Sequence, residues 1–312
     1  MRQTIARHSP LIMLAVLMGS AALYSPTFGS PGNLKDTASR TSEIGIIAMG
    51  ELVVIITGGI DLSVGSVAAL SGVTSSLAMK EWGVPVPLGV VIALLTGLAC
   101  GWTNGMLVTK GRIPAFIVTL GMMMCARGAA MLLSGAKPVF GLPRSFEWLG
   151  GTRGWYVPVA IMVTIVVIFA VTLLMTRFGR ALYATGGNLN AARLSGLNVD
   201  RVRIAAFSLS GMLAGLAGTM LASRTSVASP NAADMWELDA IAACVIGGAS
   251  LMGGEGGAVA ALAGALIMVV LDNFCNLQDI NPHWQQLFVG ALIVALVFYD
   301  NYRKRKTGLI KG

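Results

Sequence analysis

The chain has 312 residues, of which 55% are hydrophobic and only 12% are Asp, Glu, Lys or Arg. A soluble globular domain carries about 25% charged residues, so this composition excludes a water-soluble enzyme, a disordered chain and a small disulfide scaffold. It predicts an integral membrane protein. The net charge of +8 does not indicate a nucleic-acid partner, because most of the basic residues lie in the connections between apolar segments.

Ten hydrophobic segments are predicted, since a helix needs roughly 20 apolar residues to cross the bilayer. They run approximately over residues 10–28, 43–58, 62–79, 84–109, 114–134, 156–176, 204–223, 238–252, 257–274 and 284–301. Their apolar runs lack the alternation of barrel strands. The predicted fold class is therefore all-α, a polytopic transmembrane bundle of about ten spans in one domain, residues 1–312. Segments 62–79 and 238–252 contain glycines, and we expect either to be broken or re-entrant.

The positions of Lys and Arg predict the orientation of these spans. With ten spans and a cytoplasmic N-terminus, the inside connections hold about twice as many basic residues as the outside connections. Two basic clusters lie on the inside, the long connection 177–203 and the tail 302–312. An odd number of spans would place one of these clusters outside, so we expect both termini in the cytoplasm.

The sequence lacks the motifs of the common catalytic and metal sites. It contains no phosphate-binding loop of the type Gly-x-x-x-x-Gly-Lys-Ser/Thr, and no His-Glu-x-x-His, Cys-x-x-Cys or Gly-x-Ser-x-Gly. The four cysteines are Cys100, Cys125, Cys244 and Cys275, and their spacing is not that of a metal site. We expect no enzyme activity, cofactor or metal in this chain.

The first informative motif is GGIDLSVGS at residues 58–66. Gly58 and Gly59 permit a tight turn between two helices, after which Asp61 or Ser63 can cap the next helix. The alternative is that Asp61, an acid at the membrane boundary, belongs to a gate or a coupling surface.

The second motif is the predicted inside connection 177–203. Gly186 and Gly187 interrupt the preceding segment, Asn188 can cap a short helix, and Gly196 can end it. The residues predicted to share the apolar face of this helix, beside Arg193, are Leu189, Ala192 and Leu197. A short polar helix parallel to the membrane is suited to docking a soluble partner, although an ordinary basic loop is the alternative.

The third motif is ELDAIAACVIGGASLMGGEGG at residues 237–257. Glu237 and Asp239 lie where a helix begins, which is favourable for its dipole, and two glycine-rich breaks follow. Broken helices often mark a transport pathway.

Polar residues within or at the ends of the apolar segments are the remaining candidates for a gate or pathway. With those above, the set is Asp61, Ser63, Asn104, Arg127, Glu237, Asp239, Asp272, Asn273 and Asn276. For each one the alternative is that it only satisfies a neighbouring helix. Glu51 lies inside an apolar segment, and we expect it to pair with Arg127.

These motifs together resemble the permease subunit of binding-protein-dependent ABC importers, in the ribose/arabinose/galactoside branch. The resemblance covers nearly the whole chain and rests on GGIDLSVGSVAALSG, KGRIPAFIVTLG, the Arg127–Gly128 pair, FGRALYATGGNLNAARLSG, ELDAIAACVIGGASLMGG and LVFYDNYRKRK. It implies about ten helices in the bacterial inner membrane and a dimer of permeases. It also implies a periplasmic sugar-binding protein and cytoplasmic ATPase subunits, which bind ATP and Mg in place of this chain.

The resemblance also implies a role for the 177–203 connection, which contains the coupling helix that docks into the ATPase. The residues carried over to that contact are Gly186, Gly187, Asn188, Ala191, Ala192, Arg193 and Gly196. The implied cargo is a monosaccharide, with a branched-chain amino acid or a sugar-like signal molecule as alternatives. The rival function is an ion-coupled secondary transporter or channel that uses Asp61 and Glu51.

Overall fold

The computed structural model describes residues 2–281 and 283–291 together with residues 294, 295 and 298, with side chains described from residue 10 onward. The helices are α1 (Arg2–Tyr24), α2 (Pro31–Ile56), α3 (Val64–Glu81), α4 (Val86–Thr109), α5 (Ala115–Ser134), α6 (Tyr156–Met175), α7 (Arg177–Gly187), α8 (Leu189–Leu194), α9 (Val199–Thr225), α10 (Trp236–Ile246) and α11 (Ala258–Leu277), with a 3-10 helix at Arg144–Trp148. Residues 283–291 are also helical. The all-α class is confirmed for this part of the chain.

Each hydrophobic segment predicted up to residue 274 coincides with a helix. Five helices, α4, α5, α6, α9 and α11, are long and apolar enough to cross a membrane. The glycine-containing segment 62–79 forms the continuous helix α3, whereas segment 238–252 is interrupted, because α10 ends at Ile246 and the next helix begins at Ala258. Segment 284–301 is only partly described, and the basic tail 302–312 lies outside the described residues.

The connections between helices gather at two ends of the bundle. At the end that carries α8, the Gly254 amide donates to the Ile56 carbonyl at 2.9 Å, and Lys110 Nζ lies 3.6 Å from Asp200 Oδ2. At the opposite end, the isolated bridge between Val139 and Ala228 joins two connections. We call these the α8 end and the opposite end.

Helix α9 lies at the centre and packs against α2, α3 and α4. Glycines allow this approach: an added Cβ would lie 2.7 Å from Ile204 Cα at Gly105, 2.9 Å from Ser210 Cα at Gly50, and 3.0 Å from the Gly218 carbonyl at Gly72. Small residues at such contacts are typical of membrane helix pairs, whose backbones approach closely.

We expect Gly105→Ala to destabilise the protein, because the new methyl group overlaps the α9 backbone, which cannot move aside as a flexible side chain does. Overpacking of this kind costs about 1–3 kcal/mol. The control is Gly121→Ala on α5, where an added Cβ meets nothing within 4 Å. Thermal unfolding of the purified protein in detergent measures both, and equal melting temperatures for the two variants would contradict the packing argument.

Candidate functional site

The segment between α2 and α3 turns into the bundle. Gly58 has φ +76, a conformation that favours glycine, and the chain from residue 59 to residue 63 is irregular before α3 begins at Val64. As a result Asp61 is fully buried among helices.

The Asp61 carboxylate accepts hydrogen bonds from two serines. Its Oδ1 accepts from the Ser63 amide at 3.0 Å and from Ser63 Oγ at 2.6 Å, and its Oδ2 accepts from Ser210 Oγ at 3.0 Å. Ser63 Oγ in turn accepts from Asn104 Nδ2 at 3.0 Å. Ser63 is the N-cap residue of α3 but makes no side-chain cap bond, because its hydroxyl donates to Asp61.

Glu51 joins this group through its Oε1, which accepts from the Asp61 amide at 3.1 Å. We call Glu51, Asp61, Ser63, Asn104 and Ser210 the Asp61 cluster. All five side chains are buried, and they connect α2, the entry to α3, α4 and α9. The structure thus brings together three residues predicted from the sequence, Asp61, Ser63 and Asn104. Ser210 was not predicted, because a serine inside a glycine-rich helix gives no sequence signal for its hydrogen-bond partner.

The expected pair of Glu51 with Arg127 is wrong. Arg127 Nη1 donates to the carbonyls of Pro230 at 2.7 Å and Ala232 at 2.8 Å, and within the described chain it forms no ion pair with Glu51. The reason is position along the bundle, because Glu51 lies toward the α8 end and Arg127 toward the opposite end. Arg127 instead holds the connection that precedes α10. Just after this connection, on the first turn of α10, the Glu237 side chain lies against Gly65 of α3.

The short helix predicted after residue 187 is confirmed as α8, but Leu197, which was predicted on its apolar face, follows the helix, because α8 ends at Leu194. Asn188 Oδ1 accepts from the Ala191 amide at 3.0 Å, so Asn188 is its N-cap. Gly196, with φ +84, turns the chain after it, and Ala192 is buried on its inner face. Helix α7 was not predicted, although Thr176, whose Oγ1 accepts from the Gly179 amide at 3.1 Å, is an N-cap signal.

The outer face of α8 projects from the bundle. Leu194 is 90% exposed. Arg193 is also exposed, and its Nη2 lies 3.3 Å from Asp200 Oδ1. The end of α8 therefore exposes an apolar side chain beside a cation.

Glycines from two connections meet glycines at the end of α7. An added Cβ at Gly253 would lie 2.9 Å from the Gly58 amide and 3.0 Å from Gly186 Cα, and one at Gly254 would lie 3.1 Å from Gly187 Cα. Gly186 itself packs on the Ile56 carbonyl. We call Gly58, Gly186, Gly253 and Gly254 the glycine junction.

Tyr183 of α7 adds a side-chain bond to this contact, since its hydroxyl donates to the Gly256 carbonyl at 2.7 Å. Burial raises the pKa of the Tyr183 phenol, so it remains a hydrogen-bond donor at neutral pH. The α7–α8 unit is therefore attached to the segment that carries Asp61 and to the irregular chain after α10.

The remaining predicted pathway residues lie near the opposite end. Asp239 and Asp272 line one cavity of about 340 Å³. Asn276 Nδ2 donates to Asp272 Oδ2 at 3.3 Å. Asn273 instead exchanges two side-chain hydrogen bonds, of 2.8 and 3.0 Å, with Asn33 of α2, so it joins α11 to α2.

Comparison with known proteins places the chain among membrane permeases. Residues 33–297 match the family described as "Branched-chain amino acid transport system / permease component". The ribose import permease protein of Escherichia coli (strain K12) is 42% identical over 301 residues, 94% of this chain and 93% of the relative. The ribose import permease protein of Haemophilus influenzae is 39% identical over 297 residues (93% and 92%). The xylose transport system permease protein of Escherichia coli (strain K12) is 34% identical over 363 residues (95% and 92%).

We expect Ser210→Ala to destabilise the protein by about 1–3 kcal/mol, because it leaves Asp61 Oδ2 buried without its donor. Ser208→Ala on the same helix is the control, since the Ser208 hydroxyl makes no hydrogen bond to a described residue. Chemical or thermal unfolding in detergent measures the difference. A Ser210→Ala protein as stable as the control would show that the bond to Asp61 contributes nothing.

The glycine junction supplies a second prediction from two adjacent glycines. At Gly186 an added Cβ overlaps the Ile56 carbonyl, whereas at Gly187 it meets nothing within 4 Å. Gly186→Ala is expected to lower the melting temperature by several degrees, and Gly187→Ala to leave it near the wild-type value. The reverse order of the two variants would rule out the close contact between α7 and the end of α2.

Proposed function

The chain belongs to the branched-chain amino acid transport system permease family, and from this premise we propose that it is the membrane-spanning subunit of an ATP-driven importer for ribose or a related pentose. The observation that carries the proposal is its identity of 34–42%, over more than nine tenths of the chain, to relatives named as ribose and xylose permeases. The projecting helix α8 supports it, because a permease without its own phosphate-binding loop needs a docking site for an ATPase.

We propose that the α8 end faces the cytoplasm and that both termini lie there. Basic residues support this orientation, since Lys110, Arg112 and Arg201 lie in connections or helix starts at the α8 end and Arg193 lies on α8 itself. The complete importer then has a second permease subunit, identical or different, ABC ATPase subunits at the α8 end, and a periplasmic sugar-binding protein at the opposite end. ATP and Mg bind to the ATPase.

The proposed topology has ten spans, one of them broken. Helix α10 has eleven residues, about half the length needed to cross the hydrocarbon core. The irregular chain that follows lies against protein. There the Gly254 amide donates to the Ile56 carbonyl, and the Gly256 carbonyl accepts from the Tyr183 hydroxyl. Irregular backbone is tolerated at membrane depth when its polar groups are satisfied in this way.

We propose that ATP hydrolysis moves the spans along a route that these contacts support. A displacement of α8 is passed through α7 to the glycine junction, and from there to the segment between α2 and α3. That segment carries Asp61, whose hydrogen bonds reach α4 and α9. In this proposal ATP shifts the population between inward-facing and outward-facing states.

An ion-coupled transporter is the rival function, and the geometry around Asp61 does not favour it. Both Asp61 oxygens accept from protein donors, and Glu51 Oε1 accepts from a backbone amide, although the buried Glu51 Oε2 accepts from no described residue. The deciding experiment is uptake of radiolabelled ribose into liposomes that contain the purified protein. Uptake that requires ATP, the ATPase and the binding protein supports the importer, and uptake by the chain alone in an ion gradient would overturn it.

We expect Ala192→Pro and Arg193→Glu to lower ATP-driven uptake at least tenfold. Proline removes the bond from the Ala192 amide to the Asn188 carbonyl, of 2.9 Å, and breaks α8, while the glutamate places a like charge beside Asp200 on the docking face. Membrane insertion is expected to be unchanged. The matched control is Arg201→Glu, the same charge change on an exposed position of α9. If both variants transport at the control rate, the coupling role of α8 is wrong.

A further inference from the structure

A cavity of about 340 Å³ opens between α2, α10, α11 and the helical residues 283–291. Its size lies within the range of about 300–1,000 Å³ typical of small-ligand sites. It lies near the opposite end, which under the proposed function is the end where the binding protein releases its cargo. Its walls are largely apolar, through side chains such as Leu238, Met268 and Val269, with a few polar groups among them.

Both arginines in the cavity wall are already paired. Arg224 makes two hydrogen bonds to Glu43, from Nε at 2.7 Å and from Nη2 at 3.0 Å. Arg40 Nε lies 3.0 Å from Asp36 Oδ2, and its Nη1 lies 3.6 Å from Asp272 Oδ2. An anionic ligand entering the cavity would have to compete with a carboxylate for each guanidinium.

Asp239 differs from the other acids of the wall. It lies on the first turn of α10, is partly buried, and lines the cavity. Within the described residues its carboxylate accepts no hydrogen bond and forms no ion pair, in contrast to Glu43 and Asp272. The oxygens of a carboxylate in this position can accept hydrogen bonds from a ligand.

These groups discriminate between the cargo classes. An amino acid brings an ammonium group, from which Asp239 can accept, together with a carboxylate, which needs a free cation, and the two arginines of the wall are engaged. A neutral sugar brings hydroxyl donors, which an open carboxylate accepts, and C–H surface, which Trp236 and the aliphatic wall can cover. Gln286, which is exposed and lines the cavity, supplies an amide that can both donate and accept hydrogen bonds.

We propose that this cavity is a sugar-binding site within the permease, in which Asp239 accepts hydrogen bonds from the hydroxyl groups of a monosaccharide. The site deepens the proposed function, on which it rests, by naming where the cargo binds after release. It favours neutral polyols over amino acids because both guanidinium groups of the wall are paired, so that an amino acid's carboxylate would have to displace a protein carboxylate.

The test is ATP-driven uptake of radiolabelled ribose by the complete importer, reconstituted with its ATPase and binding protein. Asp239→Ala is expected to reduce the uptake rate at least tenfold, as for the loss of hydrogen bonds to a charged group. Asp239→Asn keeps one acceptor oxygen and is expected to fall between Ala and wild type. ATP hydrolysis stimulated by the loaded binding protein is expected to persist, because the cavity is remote from α8.

The control is Asp234→Ala, which removes an exposed acid just before α10 that does not line the cavity, and uptake is expected near the wild-type rate. Wild-type uptake by Asp239→Ala would overturn the site and leave the importer assignment standing. Equal losses of uptake, ATPase stimulation and melting temperature would overturn it in favour of a structural role for Asp239. A wild-type importer that takes up leucine and not ribose would instead overturn the proposed function itself.

Discussion

The Asp61 carboxylate lies inside a helical bundle without bulk water, and its requirement for hydrogen-bond donors shapes the centre of the molecule. Burying a carboxylate is costly unless its oxygens accept hydrogen bonds. The donors come from Ser63 in the same turn and from Ser210 of α9, and Asn104 of α4 supports Ser63. Elements far apart in sequence are therefore fixed to one another by a single side chain.

The Asp61 cluster forms only because glycines let the backbones approach. Gly50 of α2 faces Ser210, and Gly105 of α4 faces the start of α9. In lipid, where no hydrophobic effect drives helices together, such contacts supply dispersion energy and shorten the reach of polar side chains. Packing and hydrogen bonding at the centre are thus two consequences of the same small residues.

The sequence predicted the helices better than it predicted their contacts. Long apolar runs identify membrane helices reliably, and Asn188 followed by Gly196 correctly predicted the cap and the end of α8, because these signals are local. Ser210 as a partner of Asp61 could not be predicted, since 149 residues separate them. The wrong pairing of Glu51 with Arg127 has the same origin, because charge complementarity on two helices says nothing about their depth in the bundle.

The two ends of the bundle carry different charged groups. One end presents Arg193 and Leu194 on α8, and the other encloses Asp239 beside paired arginines. The Asp61 cluster lies between these ends along the bundle, since Glu51 and Asp61 follow from α2 into the turn that the glycine junction contacts. Because the contacts that link α8 to the Asp61 cluster are backbone packing at the glycine junction and hydrogen bonds, the coupling proposed between the two ends requires no ion pair along the bundle.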